Sequence, residues 1–152
     1  MKTLDRPKLR LAANKDYTDD ELESLHEVLS QAFEVKTLRY EEFQADGIGP
    51  IILFIFTGIA SGFFQSIGRT LWNAIKERIA FLVAEKSKGG TSDLEFSVEH
   101  TKGTVRFRVC SRDAKIIEKA IDQFPEALEF AEKQGYKQDY YEFDSESEEW
   151  TR

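Results

Sequence analysis

Hydrophobic and polar positions follow distinct rhythms along this chain, and each rhythm predicts an element. Lys8–Ala12 (KLRLA) puts Leu9 and Leu11 on one side of a period of two, which predicts a short strand. Leu22, Leu25, Leu29, Ala32 and Phe33 fall at helical spacing. Thr18 or Asp19 can cap that helix, and Asp20 and Glu21 sit in its first turn, where the helix dipole favours negative charge. The spacing predicts a helix over Asp19–Phe33. Val35–Phe43 (VKTLRYEEF) alternates again, with Leu38 and Tyr40 in step, and predicts a second strand. A strand–helix–strand unit of this size favours parallel pairing through a right-handed crossover.

Further on, Leu94, Phe96 and Val98 alternate with Glu95, Ser97 and Glu99. After a turn at His100–Gly103, Val105, Phe107 and Val109 alternate with Arg106 and Arg108. The pattern predicts a hairpin in which Glu99 faces Thr104, Ser97 faces Arg106 and Glu95 faces Arg108. Ser111 or Asp113 caps a last helix with Ile117, Ala120, Ile121, Phe124, Leu128 and Ala131 on one face. Pro125 is expected to kink or restart it and Gly135 to stop it.

Gly47–Gly68 (GIGPIILFIFTGIASGFFQSIG) has no such rhythm: its 22 residues carry no charge, in a chain that is 32% charged. Pro50 suits a first helical turn, and a helical reading runs from Ile51 to Lys86. The second half, Arg69–Lys88, is amphipathic, with Leu71, Ile75, Ile79, Leu82 and Val83 opposing Lys76, Glu77, Arg78 and Glu85. An unbroken helix would be about 54 Å long, against about 40 Å for the diameter of a compact chain of this length. Gln65–Gly68 is the expected break.

Two readings compete for this stretch. One is a membrane-spanning helix, with Gly58 and Gly62 at the spacing that lets helices approach closely in lipid. The other is a buried helix of a soluble core. Ten of the 22 residues are Gly, Pro, Ser, Thr or Gln, and the flanking strands need an apolar partner. The soluble reading is preferred, with membrane insertion of 47–68 as the alternative. A third arrangement exposes the helix in the monomer and buries it by self-association or against a partner. The predicted fold is α+β, in the order β-α-β-α-α-β-β-α. It has a small mixed sheet of about four strands, helices mainly on one face, and a central apolar helix whose Gly58 and Gly62 face is the close-approach surface. Residues 1–135 form one domain and 136–152 an acidic aromatic tail.

Composition narrows the function. The net charge of −7 disfavours nucleic-acid binding, which rests on clustered Lys and Arg. A single cysteine, Cys110, excludes an internal disulfide, and the first ten residues carry no apolar run, so a cytoplasmic setting is expected. No catalytic, cofactor-binding or metal-ligating constellation is readable. His26 and His100 lie far apart, and Cys110 has no base beside it in sequence. Gly47-x-Gly49 follows a predicted strand, but the dinucleotide-binding glycine pattern fails downstream of it. The tail, YKQDYYEFDSESEEW, reads as a docking peptide, a solubilising tail, or a segment packed on its own domain.

The order of elements carries a resemblance. Gly47, Gly49, Gly58, Gly62, Trp72 and the Lys102–Gly103 turn, within Lys8–Val109, resemble the effector-associated constant component family of bacterial conflict systems. That resemblance implies a non-catalytic adaptor which couples sensing to recruitment of an effector, with no catalytic residues to carry over. The implied partner is a protein, with a homo-oligomer as a further option. On this reading the interaction residues are Gly58, Gly62, Phe63 and Trp72 of the apolar helix pair and Tyr140, Tyr141, Phe143 and Trp150 of the tail. The acidic tail stands where the family usually carries a fused effector.

Overall fold

A computed structural model describes residues 6–39, 49–87 and 93–151. The elements are β1 (Lys8–Ala13), α1 (Asp19–Leu29), β2 (Glu34–Arg39), β3 (Ile51–Thr57), α2 (Phe63–Ser66), α3 (Arg69–Lys86), β4 (Asp93–His100), β5 (Gly103–Cys110), α4 (Ala114–Lys133), β6 (Tyr140–Asp144) and β7 (Glu149–Thr151). The strands form one mixed sheet in the order β2-β1-β3-β4-β5-β6-β7. The class is α+β as predicted, but among the described residues the sheet has seven strands where about four were expected.

The local signals behave as their chemistry requires. The Thr18 hydroxyl accepts from the Glu21 amide at 3.2 Å and Glu21 accepts from the Thr18 amide at 2.8 Å, a reciprocal cap that starts α1. The helix ends at Leu29, four residues before the predicted end, yet Ala32 and Phe33 stay buried. β1 and β2 pair in parallel, Leu9 against Val35. β2 is described only as far as Arg39, so the rest of the predicted strand, like Gly47, lies outside the described residues. β4 and β5 take the predicted register, although the ion pairs run diagonally, Arg106 to Glu95 and Arg108 to Asp93. Asp113 caps α4, which passes through Pro125 undivided.

The apolar stretch is where expectation fails. Ile51–Thr57 is not helical; it is β3, antiparallel to β1 and parallel to β4. The run IILFIF consists of β-branched and aromatic residues with one leucine, which suits a pleated surface flanked by neighbours on both sides. Among the described residues no helix is long and apolar enough to cross a membrane, so the membrane-spanning helix over 47–68 is also set aside. The expected break near Gln65–Gly68 is present: α2 ends at Ser66, and Gly68, with φ of 90°, turns the chain into α3.

Leu9 and Leu11 of β1, Ile52, Phe54 and Phe56 of β3, Leu94, Phe96 and Val98 of β4 and Val105, Phe107 and Val109 of β5 share one face of the sheet. That face meets Leu22, Leu25 and Leu29 of α1, Ile75 and Ile79 of α3, and Ile117, Ile121, Phe124 and Leu128 of α4 in one core. Phe124 is its centre, with ring centroids 4.7 Å from Phe96, 5.1 Å from Phe107 and 5.5 Å from Phe64. All three long helices therefore lie on one side, and among the described residues the opposite face of the sheet carries no helix.

Candidate interaction surfaces

The residues singled out in the sequence fall into three groups. A Cβ built on Gly58 or Gly62 meets no atom within 4 Å among the described residues, so no other part of the described chain packs closely on these glycines. Gly58 serves the turn after β3 instead, with φ of 69°. Phe63 and Trp72 are half-buried and join the core aromatics, Phe63 at 5.2 Å from Phe33 and Trp72 at 4.9 Å from Phe64. The tail residues form β6 and β7, so of the three readings of that segment, packing on its own domain is the one adopted. Tyr141 and Phe143 are buried against the core. The Trp150 indole N–H donates to the Ala120 carbonyl of α4 at 3.0 Å, and its ring meets Phe107 and Phe143 edge-on. Tyr140 points to the other face, where the Arg106 guanidinium lies 5.5 Å from its ring centre.

The histidines and the cysteine do not form a constellation. His26 Nδ1 is 3.3 Å from the Thr37 hydroxyl, His100 stacks on Tyr136 at 3.7 Å, and Cys110 is half-buried at the end of β5. Among the described residues no three His, Cys, Asp or Glu side chains are grouped to hold a metal ion.

Two surfaces stand out that sequence reasoning did not select. The first is a groove of about 530 Å³ between α1 and α3, lined by Asp20, Glu21 and Ser24 on one side and Arg78, Phe81, Leu82 and Glu85 on the other. Phe81 is 66% exposed, the one large hydrophobic so exposed among the described residues. Arg78 donates to the Ser24 hydroxyl across the groove, and Lys86 pairs with Glu21 at 2.7 Å at its end. A signal was present in the sequence: Phe81 stands four residues from both Glu77 and Glu85, on the polar side of α3.

The second is the helix-free face of the sheet. Ile51, Leu53 and Ile55 of β3 lie there half-buried, between Lys8 and Arg10 of β1 and Asp93, Glu95 and Glu99 of β4. Arg10 reaches across β3 to Glu99 at 2.6 Å, and the Thr57 hydroxyl donates to the same carboxylate at 2.9 Å. These bonds, Thr57 first and Arg10 second, hold Glu99 below the usual carboxylate range. Glu95 accepts from Arg106 at 2.9 and 3.2 Å and from Ser97 at 3.0 Å, so its carboxylate is almost enclosed but satisfied. Arg108 pairs with Asp93 at 2.8 Å.

A smaller basic cleft of about 300 Å³ lies between α3 and α4, lined by Lys76, Lys115 and Lys119 with Glu118 and Asp122. Its buried lysine, Lys76, is neutralised by Asp122 at 2.8 Å.

Compared with protein-family models, curated proteins and solved structures, the chain finds no match.

Proposed function

We propose that this chain is a non-catalytic protein–protein interaction module of a bacterial conflict or signalling system, working in the cytoplasm to recruit or regulate an effector. The observation that carries the reading is Phe81, two-thirds exposed on a groove whose rim holds Asp20, Glu21 and Glu85. An exposed aromatic in a concave site is the usual anchor of a protein interface, because its large apolar area loses water on contact. With Glu21 already paired to Lys86, the exposed Asp20 on that rim favours a partner segment with an apolar side chain for Phe81 and a Lys or Arg beside it. The resemblance carried by Trp72 and the Lys102–Gly103 turn supplies the setting.

The test is calorimetric titration against the product of the neighbouring gene, with wild type and Phe81→Ser. The substitution is expected to weaken binding by about tenfold or more, the scale of an interface anchor. The urea midpoint should hold or rise, since the ring is mostly in water. Equal affinity for both proteins sinks the proposal.

A further inference from the structure

β3 is apolar on both of its faces. Ile52, Phe54 and Phe56 meet the helices, while Ile51, Leu53 and Ile55 form a stripe on the side that no helix covers among the described residues. Strands apolar on both faces belong between two covering layers. The stripe is flanked by charges of opposite sign, Lys8 and Arg10 on β1 and Asp93, Glu95 and Glu99 on β4.

We propose that the helix-free face is the interface of a two-fold homodimer, with β3 of one copy lying over β3 of the other. A half-turn about an axis along β3 places the stripe on itself and β1 of each copy over β4 of its mate, so that Lys8 comes to the acidic Glu99 position. An apolar stripe between opposite charges is self-complementary under this operation, which is the requirement for an isologous interface. Two sheets packed in this way stand about 10 Å apart with their strands nearly aligned.

The register names the contacts. Lys8 lies opposite Thr57 and Thr57 opposite Glu99, so Lys8 and Glu99 share one level of the sheet. The two-fold axis preserves that level and brings Lys8 to Glu99 of the partner subunit, twice per dimer. Both groups have capacity for it. Arg10 and Thr57 bond Glu99 through Oε1, and Oε2 accepts no bond among the described residues. Lys8 is exposed and has no ion pair among the described residues. Arg106 and Arg108, one strand further out, are engaged by Glu95 and Asp93 within their own chain.

Sedimentation equilibrium tests this with wild type, Lys8→Glu, Glu99→Lys and an equimolar mixture of the two variants. Wild type should sediment at twice the 17.5 kDa of one chain. Each variant alone sets like charges opposite each other and should dissociate at least about tenfold more readily. The mixture should recover dimer, because the acid introduced at position 8 then faces the base introduced at position 99 at one contact, and the native pair forms at the other. A foreign protein as the occupant predicts no recovery on mixing, and that outcome overturns the proposal. Should Glu99→Lys lose its fold through repulsion from Arg10, Leu53→Glu carries the test: it must sediment as a monomer with an unchanged circular dichroism spectrum. Wild type that stays monomeric at the highest soluble concentration, or a Leu53→Glu variant that stays dimeric, also overturns it.

Discussion

Tyr17 is fully buried and its hydroxyl has no hydrogen-bond partner among the described residues. Burial, then the nearby charges of Glu21 and Asp16, push its ionisation well above the ordinary tyrosine value, so the hydroxyl stays neutral at every physiological pH. A buried hydroxyl without a partner gives up its bonds to water and regains nothing, at a cost of about 1–3 kcal/mol. Tyr17→Phe removes that cost and keeps the ring, which also receives the Lys86 ammonium at 5.7 Å. Its urea midpoint is expected to match or exceed that of wild type; a loss of about 1 kcal/mol or more would mean that the hydroxyl has a partner. Asn14, equally buried, shows the contrasting case. Its side-chain amide donates to the Gly49 carbonyl at 3.0 Å and its oxygen accepts from the Ile51 amide at 3.3 Å, fixing where β3 begins. Neither role is legible in the sequence, because Asn14–Tyr17 (NKDY) carries no hydrophobic period.

Among the elements, α1 and α3 are joined by one residue with two tasks. Glu21 completes the cap of α1 and pairs with Lys86 in the last turn of α3. Its burial opposes ionisation, but hydrogen bonds from Lys86 and Thr18 outweigh this and hold the carboxyl below its usual range. A carboxyl depressed in the folded state adds stability above its unfolded value and loses it as pH falls through the folded one. Wild type should therefore lose thermal stability as pH drops below about 4.5. Glu21→Gln can keep the cap, as glutamine does at this position, but has no charge to protonate, so its melting temperature should fall less over the same range. Parallel curves for the two proteins would remove Glu21 from the acid response. At this scale the period was legible in α1, β1, the β4–β5 hairpin and α4. It was not legible in β3, because an unbroken apolar run satisfies helix and strand alike. Tyr141 and Phe143 did alternate with Tyr140, Glu142 and Asp144 as a strand requires, but the acids around them gave the impression of a solvated tail.

Across the whole molecule, the helices on one face impose a constraint on chain direction. β1 and β5 run antiparallel to β3; β1 crosses to β2 on one side, whereas β3 and β5 cross to β4 and β6 on the other. With α1, α3 and α4 on the same face, the β5–α4–β6 crossing has the opposite hand to the other two. The three therefore cannot all follow the right-handed rule that governs nearly every such connection. The differing β5–α4–β6 unit is held by the terminal hairpin, through Trp150 on the Ala120 carbonyl and the rings of Phe107 and Phe143. Trp150→Ala should cost about 2 kcal/mol or more in urea denaturation, since it removes a large ring from a packed site. A change below about 0.5 kcal/mol, the range of an ordinary surface substitution, would show that β7 contributes little to the fold.

The sequence by itself determined the local pieces: the apolar faces of α1 and α4, a pair of candidate caps for each of those helices, and the register of the β4–β5 hairpin. Those follow from periodicity and short-range hydrogen bonds, which need no distant partner. Tertiary structure alone decided that β3 is a strand, that residues 140–151 extend the sheet, and that among the described residues Phe81 stays exposed and the outer side of β3 carries no helix. Each of these depends on which neighbours a segment finds once the chain is folded, and a run of like residues carries no record of them.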